Sequence, residues 1–178
     1  CTTAMAFRRH LQRSIRDHLA SAPSVRTGGR GKSGHPPRAQ VAAHILAQWP
    51  SAVDLANPSA GIAALPIDHA VRRAPITGGA HAAQRVLNAF VAERMASYGQ
   101  ERNQPDRDAA SGLSPYLHFG HIGAHQVFDA VAKATDWSPA DIADSKVTGQ
   151  KQGFWHMPAG AEAFLDECIT WREVGHGF

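Results

Sequence analysis

The amino-acid sequence predicts an all-α chain, and three observations carry that prediction. Residues 4–20 repeat an apolar side chain at every fourth position. Residues 80–98 keep theirs on one face at about 100° per residue, the period of an α-helix. No stretch of useful length alternates apolar and polar residues as a half-buried strand would.

The elements follow in chain order. In AMAFRRHLQRSIRDHLA (4–20), Phe7, Leu11, Ile15 and Leu19 form one apolar stripe. Arg8, Arg9, Arg13 and Arg16 lie mostly around its other sides, as a solvated basic face. Residues 21–38, SAPSVRTGGRGKSGHPPR, offer almost nothing to bury and read as a flexible linker. A short helix is expected over 39–49, ending before Pro50, and a prolyl, small-residue stretch then runs to Gly79. The helix over 80–98 sets Ala83, Leu87, Phe90, Val91, Met95 and Tyr98 on one face, with Arg94 in the middle of it. That arginine either snorkels from the helix edge or is buried against a carboxylate or a phosphate.

The next stretch, YGQERNQPDRDAASGLSPYLHFGHI (98–122), is the most informative. Ser114 is a strong helix N-cap and Pro115 suits the first helical position, where its missing N–H is harmless. Ser111 and Gly112 lie just upstream. Such a helix start is either a capped surface turn or a seat for an anion, since free N–H groups and the helix dipole both favour negative charge. A helix is expected over 121–134 with Ile122, Val127, Phe128 and Val131 apolar. Ser138-Pro139-Ala140-Asp141 repeats the capping pattern, with Trp137 placed to staple it. Residues 145–160 read as an irregular connection in which Trp155 is a packing residue.

In the last segment, AFLDECITWREVGHGF (163–178), a helix would bring Phe164, Glu167, Cys168, Trp171 and Arg172 onto one broad arc, with Asp166 and Glu173 opposite. Charges on a core-facing arc need partners. Either Glu167 and Arg172 pair or flank the helix edge, or the arc is a pocket wall. In a wall the tryptophan offers a stacking surface, the glutamate an acceptor and the arginine a positive charge.

Composition bounds these readings. The 178 residues suffice for one domain or pieces of two, and 43% hydrophobic against 19% charged residues marks a globular chain. A net charge of +3 with 11 histidines suits an acidic partner without requiring one. Cys1 and Cys168 give neither a disulfide framework nor a zinc site. No apolar run has membrane-spanning length and no signal peptide is visible, so a cytoplasmic protein is expected. The chain starts at Cys1 and stops at Phe178 shortly after a helical pattern, so a fragment of a longer protein is expected.

Tyr98, Arg102-Asn103, Pro105 and the run Ser111-Gly112-Leu113-Ser114-Pro115-Tyr116-Leu117-His118-Phe119-Gly120 resemble the DNA photolyase and cryptochrome family. So do Glu167 and Trp171-Arg172-Glu173, which match an ExxxWRE pattern. The likeness is strongest to the class II branch of cyclobutane pyrimidine dimer photolyases and its bacterial relatives. It implies that residues 1–20 are the C-terminal helix of an α/β antenna domain, that 21–79, with Leu65-Pro66-Ile67-Asp68-His69, are an interdomain linker, and that 80–178 are the first half of the helical FAD-binding domain. It implies FAD held by Tyr98, Ala110, Ser111, Gly112, Leu113, Ser114, Phe164 and Arg172, with an antenna chromophore in the preceding domain. Damaged DNA is the implied partner, Glu167 hydrogen-bonding a pyrimidine dimer that has left the stack and Trp171 packing against it. The implied activity is light-driven electron transfer from reduced FAD that splits the dimer, by a monomer with no membrane partner.

Two positions depart from the family pattern: Ala110 stands where relatives often carry a hydroxyl, and Gly123 replaces a serine cap. On its own the segment is expected to be inactive and to bind FAD weakly or not at all. The alternatives are a cryptochrome-like signalling flavoprotein and a cofactor-free helical DNA-binding module. The second draws its support from the arginines at 8–16.

Overall fold

The computed structural model describes residues 3–19, 40–48, 58–63, 65–72, 74–142 and 147–176, and every regular element among them is helical. Internal contacts divide the chain into two units, residues 1–24 with 77–178, and residues 25–76. In the smaller unit, α2 (Ala43–Gln48) is shorter than the helix expected over 39–49, and α3 (Pro58–Ala63) falls where no helix was expected. A proline at its first position favours that start. The linker predicted over 21–38 lies outside the described residues.

The larger unit holds the core. Helix α1 (Ala4–Ser14) begins where the Thr3 hydroxyl accepts a hydrogen bond from the Ala6 N–H, and it tightens into a 3₁₀ turn at Ile15–His18. Arg9, Arg13 and Arg16 are exposed, as the spacing suggested, and Arg8 is the one that turns inward. The Arg8 guanidinium grips the buried carboxylate of Asp166, Arg9 donates to the Thr148 carbonyl, and Arg16 donates to the Ile142 carbonyl. Gln12 is buried, donating to the Gln150 carbonyl and accepting from the Gly149 N–H. Of the basic side of α1, Arg8 is spent on an internal carboxylate, while Arg9 and Arg16 reach backbone carbonyls from exposed positions.

Helix α4 (Ala80–Ala89) starts the main sequence of elements. It does not run on to residue 98. Phe90–Arg94 form a π-turn, Met95–Ser97 a tighter turn, and α5 (Tyr98–Glu101) resumes. Then come α6 (Ser114–His118), α7 (Ala124–Ala134), a 3₁₀ turn at Pro139–Asp141, α8 (Ala159–Leu165), a second π-turn at Asp166–Trp171, and α9 (Arg172–His176). Gly123 costs α7 less than a lost serine would imply: Gln126 reaches back to accept from the Gly123 N–H at 2.8 Å, half of a capping box. Ser138 and Asp141 cap their turn as the sequence suggests.

The core is aromatic at its centre. Phe90, Tyr98 and Phe164 lie with ring centroids 4.5–5.6 Å apart, and Leu87, Leu113, Val127, Val131 and Leu165 are buried around them. Edge and tilted ring geometries at such spacings are favourable beyond area burial alone. Trp155 is buried as expected. Trp137 does more than staple a turn: its indole N–H donates to the Trp155 carbonyl at 2.6 Å, and its ring meets Phe128 and Trp155 edge-on. The irregular connection before α8 is tied down by Glu162, whose buried carboxylate accepts from the N–H groups of Gly153 and Trp155. Helix α8 lies against α5 through Gly160. A Cβ at Gly160 would run into the carbonyl oxygens of Met95 and Ala96, so only glycine permits this approach.

Candidate functional site

The second π-turn organises the site, and its geometry corrects the arc expected from a regular helix. An i→i+5 turn admits one extra residue, which rotates everything after it by roughly 100° relative to an α-helix. Asp166, expected on the side away from the core, is 4% exposed and ion-paired to Arg8. Trp171, expected with Phe164 on the inward arc, is 48% exposed. Arg172 is likewise half-exposed and pairs with the adjacent Glu173 at 3.0 Å. The Glu167–Arg172 pairing does not form. Glu167, half-buried, instead meets Arg102 at 2.6 Å.

Arg102 sits within the family motif, but nothing in the sequence announces its role. It leaves the end of α5, lies over the Tyr98 ring with its carbon 5.4 Å from the centroid, and reaches the Ala163 carbonyl and the Glu167 carboxylate. Burial works against its charge, and Glu167 and Tyr98 outweigh that, so the guanidinium is held more firmly protonated. Burial also raises the Tyr98 phenol, with Arg102 opposing the shift. The thiol of Cys168, next to Glu167, is pushed up to about 12 by burial and then by the neighbouring carboxylate, so it is an inert neutral group near neutral pH. Glu167 therefore enters the site as a positioned acceptor, oriented from one side by an arginine and open on the other.

The structure draws Tyr98, Phe164 and Glu167 together around Arg102. Tyr98 and Phe164 are buried in the core, so they form the floor of this region and not its surface. The turn before α6 presents a second group. Leu113 is buried and anchors it inward, Ser111 is half-buried, and Ala110, Gly112 and Ser114 are exposed. Gly112 sits at φ +70°, a backbone conformation that favours glycine. Ser114 is the first residue of α6 and makes no side-chain cap. No side chain caps α6; the Ser111 hydroxyl accepts from the Leu113 N–H at 3.3 Å in a local turn ahead of the helix, and Pro115 is at the second helical position. Ser111 keeps its own hydroxyl proton free to donate, as does the exposed Ser114.

Arg94 follows the paired reading. It is three-quarters buried and donates to Asp108 at 3.3 Å, yet its Nε–H has no acceptor among the described residues. Arg172 lines a mostly apolar groove of about 530 Å³ between α1, α7 and the second π-turn, away from the 110–114 turn. No group of three or more metal-binding side chains occurs among the described residues, and no helix there is long and apolar enough to cross a membrane.

Comparison with known proteins gives a direction. No family model matches the chain. It is 34% identical over 90 residues, half of its length, to a deoxyribodipyrimidine photo-lyase of Oryza sativa subsp. japonica. A protein of the same name from Potorous tridactylus is 31% identical over 93 residues, and one from a Synechococcus strain is 37% identical over 73 residues. Over that stretch the chain is similar to photolyases. The chain spans only 14–15% of the length of those relatives.

Proposed function

We propose that this chain is the first half of the helical domain of a deoxyribodipyrimidine photolyase, which splits cyclobutane pyrimidine dimers in damaged DNA by light-driven electron transfer. In this reading residues 1–20 are the last helix of an antenna domain, 21–79 a linker, and 80–178 the beginning of the FAD-binding domain. The observation that carries it is the shared identity, over 41–52% of the chain, with proteins that all bear that name. The ExxxWRE spacing favours the class II branch within the family. A cytoplasmic monomer that meets damaged DNA directly is part of the same reading.

Each residue's part follows from its chemistry. Glu167 is the hydrogen-bond acceptor for the extruded pyrimidine pair, and its carboxylate is already oriented by Arg102, so little ordering remains on binding. Trp171, half-exposed at the end of the same turn, offers a flat surface for the bases. The residues of the 110–114 turn fit the diphosphate end of FAD: Ser111 and Ser114 each have a hydroxyl proton to donate, and Gly112 lets the backbone approach closely. Ala110 adds backbone only. Tyr98, Leu113 and Phe164 support that seat from the core; Arg172, expected to add positive charge there, instead lines the groove beside α1 and α7 and pairs with Glu173. Reduced FAD, when bound, supplies the electron for dimer splitting.

The test is blue-light repair of a thymine-dimer oligonucleotide by a photolyase that carries this chain. Glu167→Gln is expected to lower repair by about tenfold or more, the scale of one charge-assisted hydrogen bond, while affinity for intact DNA stays put. Absence of repair by the unsubstituted protein would sink the reading. The 178-residue chain alone is expected to purify colourless.

A further inference from the structure

We infer that Arg8 and Asp166 are positioning residues that set the rotation of the Asp166–Trp171 π-turn and thereby the direction in which Glu167 and Trp171 face. The inference rests on the photolyase reading for what that edge binds. The bracing itself is argued from geometry alone.

Asp166 and Glu167 are neighbours in the chain, and successive side chains leave a helix about 100° apart. Here the two carboxylates depart on different sides and are seized by arginines from two distant elements. Arg8 of α1 holds Asp166 through a fork, Nε to Oδ1 at 2.6 Å and Nη2 to Oδ2 at 3.1 Å. Its remaining nitrogen donates to the Gly149 carbonyl at 3.2 Å, so the whole guanidinium is occupied. Arg102 holds Glu167 at 2.6 Å. Two ties on different sides of one turn leave it no freedom to roll about its axis.

A turn of this kind needs an external tie. The i→i+5 pattern is rare and local, and nothing in it fixes the direction of the residues beyond it. An apolar contact between α1 and residue 166 would bury the same surface without specifying an angle. The Arg8–Asp166 pair is 12% and 4% exposed, and such buried pairs are weak stabilisers compared with apolar replacements of equal volume. What a bidentate fork supplies is orientation. Trp171 closes the same turn, so its exposed face is set by the same two ties.

The experiment uses the 178-residue chain labelled with 5-fluorotryptophan, the Trp171 fluorine resonance being assigned with Trp171→Phe. Arg8→Met combined with Asp166→Leu removes both charges and keeps the volume, so the unfolding midpoint is expected to stay close to that of the unsubstituted chain. The Trp171 resonance should shift or broaden while those of Trp137 and Trp155 hold. Amides of residues 166–171 should exchange about tenfold faster, with those of Phe90–Arg94 unchanged. Arg8→Lys, which keeps the charge and loses the fork, should fall between. An unmoved Trp171 resonance with unchanged exchange would overturn the inference. So would all three resonances moving together, for the pair would then hold the fold and not the edge. No DNA or flavin enters this measurement, so its failure is separate from failure of the repair assay.

Discussion

Phe90–Arg94 and Asp166–Trp171 are two π-turns that border one aromatic core, and they are secured by opposite means. The first is held from inside: Phe90 is fully buried between Tyr98 and Phe164, while its arginine meets a carboxylate, Asp108, that is 92% exposed. The second is held from outside, by arginines from α1 and from the end of α5. Apolar packing fixes how deep an element sits and is non-directional. Charge pairs in fork geometry fix how it is rotated. The difference matches what each turn carries, since the first presents a core residue and the second presents Glu167 and Trp171 outward.

The comparison breaks most sharply at Arg8. Arg8→Ala leaves Asp166 buried without a partner and should lower unfolding free energy by about 3–5 kcal/mol in urea titration. Gly160→Ala attacks the place where the two regions meet, because the new methyl presses on the carbonyls just after the first π-turn. A loss of about 1–3 kcal/mol is expected by the same measurement, and an unchanged midpoint would deny that close approach a role.

The chemistry around the second turn should also be visible in pH. The Cys168 thiol is raised from 9.0 to about 12, so the folded state favours the neutral thiol. Its stabilisation is complete below the unfolded value near 9 and is lost as pH climbs from there towards 12. Urea titrations at about pH 8 and about pH 10 should differ by about 1 kcal/mol in the direction of lower stability at high pH, and Cys168→Ala should reduce that difference. The smallest effect belongs to the first turn. Asp108→Ala should stay within about 0.5 kcal/mol of the parent, because an exposed partner contributes little.

The sequence was readable wherever a local rule governed. The apolar period of 80–98 placed Leu87, Phe90 and Tyr98 in the core, and the Ser138–Asp141 cap formed as its residues require. Trp155 was legible as packing for the same reason. The π-turns were not, because one extra residue in a turn leaves the apolar spacing on either side intact and only rotates the chain beyond it. That rotation carried Trp171 outward, whereas Asp166, which opens the turn, is buried because α1 covers that side and Arg8 pairs with it. Arg102 was overlooked as a partner because Glu167 lies 65 positions away along the chain, where spacing rules carry no information. Helix α3 escaped notice because Pro58-Ser59-Ala60-Gly61 resembles a connector in composition.

The grip of α1 on residues 148–166 has a consequence for how the molecule comes together. Its bonds join positions 137 to 158 residues apart. Contacts of such span bring a large closure entropy and raise contact order, which slows folding. In a chain made from its amino end, α1 emerges well before residues 148–166 and cannot make these bonds until they have emerged too. Its arginines wait in water during that interval. The edge that carries Glu167 and Trp171 is thus completed only after residues 148–166 have been made.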